Sequence, residues 1–137
     1  YLSKISGPLL DRIDIHLEIP RVPFDQLSSG SKETTSEALR KQVTTARQKQ
    51  MQRFENNMTR TNGKMTPRQL HHYCNLDVDC KSLLKSAMTE LGLSARAHDK
   101  ILRIARTCAD LESKDSIEVH HLAEAINFRT LDRSYWA

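Results

Sequence analysis

No stretch of this 137-residue chain approaches the ~18 consecutive apolar residues that a membrane-spanning helix needs, and nothing at its start resembles a signal peptide. Cysteine is scarce. Cys74, Cys80 and Cys108 are odd in number and fit neither CxxC nor a zinc-ligand spacing, so reduced thiols in a cytoplasmic protein are expected. The four glycines are scattered, which excludes a glycine-rich phosphate cradle, and GxxxxGK[ST], GxSxG and HExxH are all missing. The chain therefore carries no catalytic apparatus of its own. Aromatic residues make up only 5%, so a core has to come from Leu, Ile, Ala and Met.

What is present begins with an alternation. Between Arg12 and Pro20, Ile13, Ile15, Leu17 and Ile19 alternate with Asp14, His16 and Glu18. A period of two with one wetter face predicts an edge strand, ended by Pro20 and Pro23. No second convincing strand follows, and a lone strand leaves its backbone groups unpaired. The expectation is that its sheet lies upstream. A Ser- and Gly-containing linker covers Phe24 to Ser31.

The rest reads as helices. A long polar helix is predicted from about Thr35 to Glu55, with a thin stripe of Leu39, Val43, Ala46, Met51 and Phe54. A polar loop follows from Asn56 to Lys64, with Gly63 as a site for positive φ. Thr66-Pro67 opens a short helix to about Cys74. Asp77 or Asp79 caps the next, which runs to about Leu91 and stops at Gly92. Ser94 caps a strongly amphipathic helix, Ala95 to Leu111, with Ala97, Ile101, Ile104, Ala105, Cys108 and Leu111 inward. Ser116 is read as the cap of a last helix with Val119, Leu122, Ala123 and Ile126 on one face. The fold class is mainly α, a small helical bundle preceded by one orphan edge strand.

Charge is unevenly spread. The net charge is +4, but Lys32 to Arg68 holds nine Lys or Arg against three Asp or Glu, a net of +6. That segment is either a solvated helix face or a surface for phosphate backbones or an acidic protein. Its candidates for nucleic-acid contact are Arg40, Lys41, Arg47, Lys49 and Arg53. Two further arginines stand out. Arg12 lies between an apolar turn and the strand, flanked by Asp11 and Asp14, which can hold its guanidinium. Arg96 opens the Ser94-capped helix between two alanines, where unsatisfied N–H groups and the helix dipole favour an anion and a guanidinium adds a fixed fork of donors. Each is either a phosphate-binding group or an ordinary surface cation. The pairs His71-His72 and His120-His121 project about 100° apart on a helix, so neither pair is expected to supply two ligands, and no metal site is expected.

"YLSKISGPLLDRIDIHLEIPRV", "LGLSARAHDKILRIARTCADLE" and "IEVHHLAEAINFRTLDRSYW" resemble the C-terminal part of the magnesium-chelatase-like AAA+ ATPases, in particular their bacterial competence-associated branch. The likeness covers residues 1–22 and 66–136; the basic middle matches only in general character. It implies that residues 1–23 are the last turn and strand of an AAA+ core, 24–34 a linker, and 35–137 the helical lid. It implies an arginine finger at Arg12, reaching the ATP of a neighbouring subunit, and a sensor 2 arginine at Arg96. The nucleotide-gripping segments would precede Tyr1, so ATP and Mg²⁺ belong to the full-length protein and none is expected on this chain, inactive alone. The implied partners are its own AAA+ core and the neighbouring subunits of a homo-oligomeric ring, expected to be a hexamer acting on DNA, with no membrane contact. The chelatase branch would instead drive Mg²⁺ insertion into a porphyrin. A stand-alone basic helical module that binds DNA or protein is the remaining alternative.

Overall fold

A computed structural model describes residues 6–21, 34–55 and 61–129. Among them are six α-helices, α1 (Gly7–Arg12), α2 (Ser36–Arg53), α3 (Pro67–Tyr73), α4 (Val78–Glu90), α5 (Ala95–Leu111) and α6 (Val119–Asn127), with a 3₁₀ turn at Asn62–Lys64. The mainly helical class follows the sequence expectation. Helix starts are set by side-chain caps. Thr35 accepts from the Ala38 N–H, Thr66 forms a capping box with Gln69, Asp77 rather than Asp79 accepts from Cys80, and Ser94 accepts from Ala97. The cap of α6 is Glu118, not Ser116: its N–H donates to Nδ1 of His121, so the helix opens two residues later than expected.

Two helix ends share one closure. Gly92 takes φ +60°, and the Leu93 N–H returns to the Met88 carbonyl at 3.1 Å. Ser113 takes φ 61°, and the Lys114 N–H returns to Ala109 at 2.8 Å. Both are Schellman closures, one of them built on serine in the left-handed region. Gly63, expected to use that region, does not; it sits in the 3₁₀ turn.

Helix α5 is the centre of the bundle and packs against α2, α3, α6 and the 3₁₀ turn. Its Ala97, Ile101, Leu102, Ala105, Cys108 and Ala109 are buried, while Leu111 at the end of the predicted stripe is exposed. The core closes with Phe54, Met65, Leu70, Leu84, Ile117, Leu122, Ala125 and Ile126, and Val119 lies outside it. Helix α2 departs most from expectation. Leu39, Val43 and Met51 are exposed, and the face it buries carries Ala46, Gln50 and Phe54. Residues 36–44 are exposed throughout.

The expected strand does not form: residues 13–21 take no regular structure beyond a bend at Asp14, and with no ladder partner among the described residues nothing holds them in a sheet. Of residues 13–19 only His16 is buried; Leu17 is 66% exposed and Ile19 85%, and Asp14 and Glu18 are exposed as well. The His16 N–H donates to the Phe128 carbonyl at 2.8 Å, and its Nε2 lies 3.1 Å from the Leu10 carbonyl. Those contacts seat His16 alone against α1 and the end of α6. The expected linker at 24–34 falls almost wholly outside the described residues.

All three cysteines are free and buried. Burial pushes Cys74 and Cys80 up to about 11 and Cys108 up to about 12. At pH 8 each thiol is therefore protonated, and alkylation by iodoacetamide is expected to run ~100-fold or more slower than for a free thiol. Titration in and out of denaturant checks this; rapid labelling of the folded chain contradicts it.

Candidate functional site

Pro8 opens α1, Leu10 anchors it, and the Ile13 N–H closes it on the Leu10 carbonyl. This one-turn helix delivers Asp11 to the N-terminus of α5. The Asp11 carboxylate accepts from Ser94 Oγ at 3.0 Å and from Arg96 Nη1 at 2.8 Å. Ser94 Oγ in turn accepts from the Ala97 N–H at 3.1 Å, so one carboxylate clips the cap and the second residue of α5 together. Partial burial opposes ionisation of Asp11, but the bonds from Ser94 and Arg96 and the charges of Arg96 and Arg129 outweigh it and hold the carboxyl below its usual range. The Arg96 side chain keeps 59% of its surface exposed.

Arg12 is exposed, and its guanidinium has no hydrogen bond or ion pair among the described residues. The expectation that Asp11 and Asp14 hold it is corrected: Asp11 is taken by Arg96 and Ser94, and Asp14 by Lys100 at 2.9 Å. Both carboxylates turn toward α5. Lys100 Nζ also donates to the Arg12 carbonyl at 2.5 Å, and Arg129 Nη1 donates to the Ile13 carbonyl. The Arg12 main chain is thus tied to α5 through Lys100, and the Arg96 side chain is tied to α1 through Asp11. The finding that Asp11 binds Arg96, 85 residues away, has no sequence signal beyond its place beside Arg12.

The five basic candidates separate into two groups. Arg40, Lys41 and Arg47 are exposed, and their side chains make no hydrogen bond or ion pair among the described residues. Lys49 bonds the Ser113 carbonyl at 2.8 Å and Asp115 at 3.2 Å. Arg53 is engaged by the core. Its two terminal nitrogens grip Asp110 at 2.6 and 2.7 Å, and Nη1 also reaches Asn62 at 2.8 Å. Asp110 is completely buried and accepts as well from Asn62 and from Arg106, whose other nitrogens bond the Lys114 and Asp115 carbonyls. Sequence reasoning passed over this network. Its one signal was a carboxylate in the last turn of a helix, where the dipole disfavours it.

His120 and His121 do converge, contrary to expectation. Both Nε2 atoms approach one oxygen of Glu112, at 2.8 and 3.0 Å. The buried His121 folds back to accept the Glu118 N–H on Nδ1, so its Nε2 carries a proton and donates to Glu112. A protonated nitrogen has no lone pair for a metal. The trio, whose ligand atoms lie within 4.8 Å of one another, is a clip between the end of α5 and the start of α6.

The family described as magnesium chelatase, subunit ChlI C-terminal, matches residues 33–129, and magnesium chelatase, subunit ChlI, matches residues 1–27. The chain belongs to this magnesium-chelatase family. Its similar relatives include YifB of Salmonella typhimurium at 40% identity over 134 residues and the competence protein ComM of Haemophilus influenzae at 36%. Escherichia coli YifB is 37% identical over the same length. Each alignment covers 97% of this chain but only 26% of the relative, so the chain spans about a quarter of the length of the curated relatives it matches. The boundary between the two family matches falls between α1 with its extended strip and α2, and the Asp11–Arg96 clip joins the two matched parts. No helix among the described residues is long and apolar enough to cross a membrane.

Proposed function

We propose that this chain is the lid-bearing C-terminal piece of a cytoplasmic AAA+ ATPase that works as a homo-oligomeric ring, expected to be a hexamer, on DNA. Arg12 is the arginine finger that reaches the ATP of a neighbouring subunit, and Arg96 is the sensor 2 residue. The observation that carries the reading is the Asp11 clip: it holds the Arg96 guanidinium at a helix N-terminus, while the next residue in the turn, Arg12, has a guanidinium with no partner among the described residues. That donor set suits the terminal phosphate of ATP, since two guanidinium groups and a helix N-terminus offer donors and positive charge. ATP supplies the hydrolysable phosphoanhydride when bound. Mg²⁺ and the phosphate-gripping loop belong to the remainder of the protein. Arg12 offsets charge that develops on the phosphoryl group, and Arg96, competed for by Asp11, holds the ground-state nucleotide. ATP turnover by the full-length protein tests this: Arg12→Ala and Arg96→Ala each reduce it, and unchanged turnover in both ends the reading.

DNA rather than a porphyrin is favoured by the competence-named relative and by Arg40, Lys41 and Arg47 of α2, three exposed cations whose side chains have no partner among the described residues. Three phosphate contacts give a log–log salt slope of about −3, a loss of roughly 40-fold in affinity between 50 and 200 mM salt. Duplex or branched DNA titrated onto this chain checks the slope. Replacing the three by alanine flattens it, and no binding at ~50 mM salt removes the DNA assignment.

A further inference from the structure

The turn that carries Arg12 is held to the helical body by side-chain cations gripping its backbone. Lys100 lies in the middle of α5 and is 8% exposed. Its ammonium bonds the carbonyl of Arg12 at 2.5 Å and the carboxylate of Asp14 at 2.9 Å. The completely buried Arg129 donates to the carbonyl of Ile13 and, at 3.5 Å, to that of Asp14. Three successive carbonyls, at positions 12, 13 and 14, thus accept from cations of the helical body. In a strand they would be satisfied by a ladder; here the ladder's place is taken by Lys100 and Arg129. Burying a lysine costs desolvation and rotamer entropy. That cost is offset by the Asp14 carboxylate and by the main chain of one residue, Arg12, whose own side chain is unpaired among the described residues.

We infer that Lys100 is a positioning residue for Arg12: it fixes the finger's backbone to α5, so the spacing between Arg12 and Arg96 is set by this helical body. The inference rests on the finger assignment of Arg12 proposed above. Lys100 touches no nucleotide in this scheme; it acts through the Arg12 carbonyl. With the ammonium removed, the turn is still tethered by Asp11 and by Arg129 at Ile13 and Asp14, but the Arg12 carbonyl between them loses its anchor, and a displacement of about 1 Å in a catalytic group costs up to about 100-fold in rate.

The experiment uses the full-length protein, with kcat and KM for ATP measured for Lys100→Met, Lys100→Arg, Arg12→Ala and the double variant Arg12→Ala/Lys100→Met. Lys100→Met is expected to lower kcat by about 10–100-fold with KM nearly unchanged. Lys100→Arg, which keeps a donor, restores most of it. In the Arg12→Ala background, Lys100→Met should cost nothing more, because a positioner has no effect once the group it positions is gone. A full multiplicative loss in that background means general damage and overturns the inference. So does an unchanged kcat in Lys100→Met while Arg12→Ala is impaired, a result that leaves the finger reading intact. An active Arg12→Ala overturns both. Should Lys100→Met fail to fold, Asp14→Asn replaces it, since Asp14 has a side chain 71% exposed and removes only the charge that holds the ammonium. Its loss in kcat is smaller and should likewise vanish in the Arg12→Ala background; a loss that persists there overturns the inference.

Discussion

Asp110→Ala is expected to remove about 3–5 kcal/mol of stability, the range found when one member of a buried ion pair is deleted. Two guanidinium groups converge on this single carboxylate, from Arg53 on α2 and Arg106 on α5, and Asn62 of the 3₁₀ turn adds a third donor. Without the carboxylate, two cations face each other in the interior with no counter-charge. Against a typical domain stability of about 5–15 kcal/mol, the loss leaves the chain marginal. Urea denaturation should show a midpoint about 2 M lower, or no folded baseline at all. Arg53→Ala should cost less, because Asp110 keeps Arg106 and Arg53 is the more exposed partner. Asp115→Ala, which removes an exposed carboxylate paired with Lys49, is the comparison. If Asp110→Ala shifts the midpoint no further than Asp115→Ala, the network does not hold the bundle together.

In the full-length protein, Arg12→Ala should reduce ATP turnover by roughly 10³-fold or more, the scale of an arginine finger's contribution. The pattern matters as much as the size. A guanidinium that meets charge developing only in the transition state lowers kcat and leaves KM nearly alone. Arg96 differs, because the Asp11 clip keeps it at the helix N-terminus before any phosphate arrives. Arg96→Ala should therefore raise KM for ATP as well as lower kcat. Equal effects of both substitutions on KM, with kcat unchanged, would mean that Arg12 assists binding rather than transfer. Steady-state kinetics over a range of ATP concentrations separates these outcomes.

Local chemistry was legible in the sequence, and pairing across the fold was not. Thr66, Asp77 and Ser94 cap their helices as read, because a cap satisfies N–H groups within three residues of itself. Gly92 likewise ends α4 through a bond to its own helix. Arg96 could be placed at a helix start for the same reason. Arg53 looked like one more cation of a basic face, since its partners Asp110 and Asn62 lie 57 and 9 residues away and nothing local marks them. The α2 stripe was misjudged in the same way. Leu39, Val43 and Met51 have the spacing of a buried seam, but the face that meets α5 is chosen by Gln50 and Arg53, which have polar partners there. Alternation in 13–19 did not translate into a covered and an open face: His16 alone of these residues is buried, because it finds the ends of α1 and α6.

Helix α2 is moored at one end only. From Ala46 onward it is tied to α5 and the 3₁₀ turn, whereas its first two and a half turns are exposed and bury against nothing among the described residues. Isolated helical stretches of that length are marginal in water, so this end relies on its Thr35 cap and on continuity with the moored turns. A ligand that grasps Arg40 and Lys41 would therefore stabilise the arm that carries them as it binds.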